Sequence, residues 1–132
     1  MKEGQPEKSM EGVIRADGRY PPEAYSFLHE GLATAVREAY ADEASVPGRR
    51  HVTGQQMCEA LRDLAAQRWG MLAPTVLGSW NIHATIDFGH MVYLLIEHGF
   101  MHKTEEDSID DFADVFDLSE AFNDVDKFEL SR

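Results

Sequence analysis

Thr85-Ile86-Asp87-Phe88-Gly89-His90-Met91-Val92-Tyr93-Leu94-Leu95-Ile96-Glu97-His98-Gly99 is the stretch on which the fold turns. Phe88, Met91, Val92, Leu95 and Ile96 recur at helical spacings and share one face. Thr85 is the expected cap. Asp87 falls in the first turn, where the helix dipole favours negative charge, and Gly99 ends the segment. Met91 to Ile96 is the longest unbroken apolar run of the chain. It is far short of the roughly 20 residues that cross a bilayer. The polar start, Met1 to Gly12, has no signal-peptide core, and the single Cys58 has no internal disulfide partner. A cytoplasmic domain with no membrane association is the expectation.

Working upstream, Tyr25, Leu28, Leu32, Ala35, Val36 and Ala39 predict an amphipathic helix from Glu23 to about Tyr40, entered through Pro21-Pro22. Asp42 to Gly48 is a loop by composition. Thr53-Gly54-Gln55-Gln56 reads as a capping box, with Met57, Leu61, Leu64, Ala65 and Trp69 continuing a helix that Gly70 stops. His51-Val52 suits a very short strand, and Met71 to Trp80 one or two helical turns. Downstream of Gly99 the period is ambiguous. Phe100 to Lys103 suits a strand, Ser108 to Asp111 a capped turn, and residues 100–117 either a hairpin or a helix. The expected architecture is mainly α: a helical domain with a small β element, winged-helix-like. Residues 1–13 are expected to be disordered, 14–122 to form one mainly helical domain, and 123–132 to form a flexible acidic tail. Tyr25, Leu28, Leu32, Leu61, Leu64, Trp69, Leu77, Trp80, Phe88, Val92 and Leu95 are the expected core.

The 132 residues carry 12 Lys+Arg against 24 Asp+Glu, a net charge of −12. From Thr104 to Glu129 there are eleven carboxylates and one base, so this stretch alone carries −10. The rest of the chain is nearly neutral. Such a balance argues against general binding to phosphate backbones. A winged-helix DNA reader would also present Arg, Lys, Asn or Gln on its recognition helix, and Ile86 to His98 contains none. The positions expected to be exposed there are Asp87, Gly89, His90, Tyr93 and Glu97.

Several short blocks together resemble one family. Arg19-Tyr20-Pro21 with Glu23-Ala24-Tyr25-x-Phe27 is similar to its opening block. Arg50-His51-Val52-Thr53-Gly54, Thr75-Val76-Leu77 and Trp80 resemble its centre. Asp87-Phe88-Gly89, Glu97-x-Gly99 and Lys103-Thr104-Glu105-Glu106-Asp107 resemble its third block, and Asp111-Phe112 with Glu120-Ala121-Phe122 its end. The family is a bacterial one of conserved uncharacterised proteins first noted in verrucomicrobia and planctomycetes. The resemblance spans Ile14 to Phe122 and implies no activity, substrate or catalytic residue. His90 departs from it, standing where the family pattern has an acidic residue.

No chemistry-bearing constellation stands out. The histidines His83, His90, His98 and His102 are separated by 7, 8 and 4 residues. His98 and His102 straddle Gly99, so they do not make the i, i+4 pair of a helical zinc site. Asp107, Asp110, Asp111 and Asp114 lack the D-x-[DN]-x-[DN]-G calcium loop. Cys58 sits on an amphipathic helix, where a core cysteine is the natural reading. Serine-elbow and phosphate-loop motifs do not occur. No cofactor, metal site or catalytic residue is therefore expected, and a non-catalytic protein-interaction module is favoured over an enzyme. The alternative is a winged-helix DNA-binding transcriptional regulator. The expected binding surface is acidic and aromatic: Asp110, Asp111 and Asp114 for charge, and Phe112, Phe116 and Tyr93 for apolar contact. Arg49 and Arg50 are the dense positive spot, available to an anion or to the acidic tail. The partner this chemistry suits is a basic protein.

Overall fold

The computed structural model describes residues 9–42 and 52–123, with side chains 40–42 excepted. Arg49, Arg50 and His51 lie outside the described residues, as do positions 1–8 and the tail beyond Asn123.

The first helix, α1 (Met10–Asp17), begins inside the segment expected to be disordered. Ser9 accepts the Gly12 amide at 3.0 Å, and Gly18 closes the far end in the left-handed conformation at φ 77°. Val13 and Ile14 are both only 4% exposed, so the helix is held by burial as well as by its caps. Helix α2 (Pro22–Asp42) follows as expected. Helix α3 (Gly54–Trp69) opens with the capping box: the Gln56 amide donates to Thr53 Oγ1 at 3.1 Å, and the Thr53 amide to Gln56 Oε1 at 2.9 Å. Gly70 ends α3 with φ 54°, and a 3-10 turn over Gly70–Leu72 leads into α4 (Ala73–Ser79).

The start of α5 (Thr85–Glu97) differs from expectation. Asp87, not Thr85, closes its N-terminus: the His83 and Ala84 amides donate to Asp87 Oδ2 at 2.8 and 3.0 Å. The Thr85 side chain is fully buried and bonds elsewhere. Gly99 adopts φ 83° and ends the helix as read.

Among the described residues there is no strand. The Phe100 amide folds back onto the Leu95 carbonyl at 2.8 Å, so the chain turns where a strand was expected. Beyond it, residues 100–117 are neither hairpin nor α-helix. A series of turns includes a 3-10 turn over Ile109–Phe112. Side chains compete here with the ladder: the Thr104 amide donates to Asp107 Oδ2 at 2.8 Å, the Ser108 amide to Asp111 Oδ2 at 3.1 Å, and the Ser119 amide to Asp117 Oδ1 at 2.8 Å.

The fold is mainly α, with one core. Every residue of the expected core belongs to it or packs against it; Leu32, Leu64, Trp69 and Trp80 do so at its edge. Phe27, Trp69 and Trp80 form an aromatic trio with centroid distances of 5.3 to 5.9 Å, tying α2 to the end of α3 and the turn after α4. Helices α2 and α3 cross closely at Gly31, where a Cβ would lie 2.2 Å from Leu61 Cδ2. Glu30 and Arg68 pair across the same interface. Cys58 is fully buried and its thiol is pushed up to about 12 by that burial, which suits packing and not nucleophilic chemistry. Among the described residues no helix is long and apolar enough to cross a membrane.

Leu61 and Leu95 are both 0% exposed, so truncating either to Ala is expected to cost about 2–5 kcal/mol in urea unfolding. Gly31→Ala should cost about 1–3 kcal/mol by overpacking. Combined with Leu61→Ala it should cost less than the sum, because the added methyl enters the vacated space. Strict additivity in that cycle would show that the two helices do not meet at this glycine.

Candidate functional site

The acidic segment does not hang free. Phe112 is 4% exposed and wedges between two helices at glycines. A Cβ on Gly54, at the start of α3, would meet Phe112 ring carbons at 3.0 and 3.1 Å, and one on Gly89 of α5 would meet Phe112 Cβ at 2.9 Å. Only a residue without a side chain leaves room for the ring at both places. Thr85 locks the wedge: its hydroxyl donates to the Phe112 carbonyl at 2.6 Å and accepts from the Val115 amide at 3.1 Å. Leu118 and Phe122 are buried further along, so the chain is pinned to the core as far as Phe122.

This distributes the expected site residues. Phe112 lies in the core and presents nothing to a partner. Phe116 is half-buried, with the Arg62 guanidinium 5.7 Å from its ring centroid. Tyr93 is also half-buried. Its hydroxyl is raised above the ordinary phenol range by burial and by Asp107 and Asp111. It lines a small open pocket of about 50 Å³ with Leu32, Met57, Lys103, Asp111 and Phe112. Asp111 is engaged in closing its own turn, whereas Asp110 and Asp114 are exposed. Asp114 holds φ 52°, a conformation Asp tolerates better than most residues. Glu105, Glu106, Asp117 and Glu120 are exposed as well. The result is a set of carboxylates on an ordered backbone.

A second constellation was missed by the sequence reading. Tyr20, between α1 and α2, reaches α5. Its hydroxyl donates to Asp87 Oδ1 at 2.6 Å and lies 3.2 Å from His90 Nδ1, which is itself 3.6 Å from Asp87 Oδ1. With the Tyr20 hydroxyl donating to Asp87, the phenol oxygen can accept from the Nδ1–H tautomer of His90. Burial, then the bond to Asp87, raises the Tyr20 phenol well above its ordinary range. For Asp87, burial pushes upward, but the Tyr20 hydroxyl, the His83 and Ala84 amides and His90 outweigh it and leave the carboxyl below its ordinary value. A phenol so hard to ionise is a poor base or nucleophile. The cluster works as a latch holding the α1–α2 corner on α5. Its sequence signal is only Asp87 placed for a cap. The 67 residues separating Tyr20 from Asp87 hide the rest.

Between them, Phe112 and Tyr20 cover the face of α5 expected to be exposed: Gly89 is buried, Asp87 and His90 are half-buried, and Glu97 stays open. Among the described residues, no group of three or more His, Cys, Asp or Glu converges to hold a metal ion. No protein-family model, curated protein or solved structure matches the chain.

Thr85→Val should cost about 1–3 kcal/mol, since it strands the Val115 amide and the Phe112 carbonyl. It should also speed amide exchange over 112–122 more than in α2, and Thr85→Ser should restore most of both. Uniform acceleration would contradict a local lock. The latch predicts opposite pH arms. Because the Asp87 carboxyl is lowered on folding, its stabilisation holds above the ordinary carboxylate value of about 4 and is lost as pH falls below it. Because the Tyr20 phenol is raised, its stabilisation is lost as pH climbs past about 10. Asp87→Asn should flatten the acid arm of a stability–pH profile and Tyr20→Phe the alkaline arm.

Proposed function

We propose that this chain is a non-catalytic protein-interaction module that uses its C-terminal acidic surface to capture a basic protein partner. The observation that carries the reading is the anchoring of the acidic segment. Phe112, Leu118 and Phe122 are spent on the core, so Glu105, Glu106, Asp110, Asp114 and Glu120 are exposed on an ordered backbone. A fixed array of like charges steers an oppositely charged protein and loses no chain entropy on binding. Phe116 and Tyr93, each partly accessible, supply the apolar contact at its edge. The burial of Phe112 narrows the aromatic contribution to these two.

The winged-helix likeness belongs to this reading as a matter of helix order: α2, α3, α4 and α5, then a charged loop in the place of a wing. The DNA-binding alternative draws no support from α5. Thr85, Phe88, Gly89, Met91, Val92, Leu94 and Leu95 are buried, and what remains outside is acidic or neutral. A recognition helix needs a free face with base-reading donors.

The test uses the protein as bait in lysate of its native host. The control is a variant carrying Glu105→Gln, Glu106→Gln, Asp110→Asn and Asp114→Asn, positions whose side chains are exposed. A basic protein retained by the wild type should associate with the variant about tenfold more slowly at low salt, with a flatter salt dependence and a nearly unchanged dissociation rate. Equal on-rates would remove the steering role. Tight, salt-sensitive retention of duplex DNA on filters would instead favour the regulator.

A further inference from the structure

We propose that the open cleft between the α1–α2 corner and the turn after α4 binds a small organic acid, an anionic head group carried on an apolar or aromatic body. The cleft has a volume of about 440 Å³, within the range of small-molecule sites. The corner contributes Arg15, Arg19 and Pro22 to it, and the end of α4 with its turn contributes Ser79, Trp80 and Asn81. Charge selects the ligand. The chain carries 24 Asp+Glu against 12 Lys+Arg, yet among the described residues lining this cleft none is acidic and two are arginines. Gly70 to Ile86, which supplies the far wall, contains no Asp, Glu, Lys or Arg. Both arginine side chains are reachable, at 65% and 49% exposure. Glu11 braces Arg15 at 2.8 Å and Asp17 braces Arg19 at 3.4 Å, and neither carboxylate lines the cleft. A guanidinium carries more donors than one carboxylate takes, so each keeps N–H groups for a second anion. Exposed pairs of this kind are worth little, and an incoming anion meets no strong competitor.

The walls are set in advance of any ligand. Asn81, in the left-handed conformation at φ 68°, donates from Nδ2 to the Arg19 carbonyl at 3.2 Å and so joins turn to corner. The Arg19 guanidinium lies 5.7 Å from the centroid of the Tyr20 ring, and Tyr20 is itself held by Asp87 at 2.6 Å. Donors positioned in this way lose less freedom on binding. The half-buried Trp80 and the ring of Pro22 offer the apolar surface for the body of the acid. A second observation points to the same corner. Tyr25, in the first turn of α2, is 2% exposed, and its buried hydroxyl has no hydrogen-bond partner among the described residues. The charges that act on it are those of Asp17 and Arg19. A buried donor without an acceptor is costly, and an anion seated beside Arg19 brings one, directly or through a retained water.

Amide and indole shifts of the full chain, titrated with phenyl phosphate and with benzoate, test this and rank the two head groups. Saturable shifts are expected at Gly18, Arg19, Trp80 and Asn81, weakening as salt rises. Inorganic phosphate, a head without a body, and benzamide, a body without a charge, should each bind at least about tenfold more weakly. Arg15→Gln and Arg19→Gln should each weaken the better acid at least about threefold, as should Tyr25→Phe, with spectra of the free protein otherwise overlaying the wild type. The variant carrying Glu105→Gln, Glu106→Gln, Asp110→Asn and Asp114→Asn should bind these probes as the wild type does, because the cleft works apart from the acidic surface. Three results would overturn the proposal. They are no saturable shift at these positions with either acid, benzamide binding as tightly as benzoate, or an affinity that none of the three single variants weakens.

Discussion

The Phe112 ring between Gly54 and Gly89 is the contact on which the second half of the molecule depends. Each glycine lies on a different helix, one at the first residue of α3 and one in α5, and the ring fills both gaps at once. Thr85 then ties the backbone just after the ring, at the Phe112 carbonyl and the Val115 amide, to the base of α5. Burying one phenylalanine contributes on the order of 2 kcal/mol by area, and the paired hydroxyl avoids the cost of two orphaned backbone groups. A segment of strong negative charge and no regular secondary structure is thereby held to the core.

That anchoring changes what the carboxylates do. As a solvated tail they would repel one another and sample many arrangements, and any partner would have to order them first. Here three of them, Asp107, Asp111 and Asp117, are consumed locally, accepting backbone amides that no helix or strand satisfies. Glu105, Glu106, Asp110, Asp114 and Glu120 stay exposed to water. Structure and surface charge are divided among neighbouring residues of one type, by spacing: an Asp three residues after Thr104 or Ser108, or two before Ser119, bends back, and the others point out.

Helix α5 sits at the centre of this arrangement. It is covered on one side by the core helices, at Gly89 by Phe112, and at Asp87 and His90 by Tyr20. Asp87 does two jobs there. It closes the helix through the His83 and Ala84 amides and accepts a hydrogen bond from the Tyr20 hydroxyl, so local capping and long-range docking use the same carboxylate. Buried on these sides, α5 keeps little free face beyond Glu97 and the half-buried Tyr93.

Helices α2 to α5 and most of their ends were legible in the residues, because capping and 3.6-residue periodicity act over a few neighbours, whereas α1 fell mostly in the segment expected to be disordered. Thr53-x-x-Gln56 closed α3 as its spacing requires, Gly70 and Gly99 stopped helices where φ must be positive, and Leu28, Leu61, Phe88 and Leu95 went inside. The sequence alone also located the negative charge and the absence of base-reading side chains on α5. What only the tertiary structure decided were the events joining residues far apart in the chain. Thr85 looks like a cap until Phe112, 27 positions later, takes its hydroxyl, and Asp87 caps in its place. Gly89 reads as an exposed helix position, and Phe112 as a surface aromatic, until each is seen to fill the space the other leaves. Tyr20 is 67 residues from its acceptor. The ambiguity after Gly99 has the same origin. No local period governs that stretch, because its conformation is set by where Phe112, Leu118 and Phe122 find room, and that room exists only once α3 and α5 have packed.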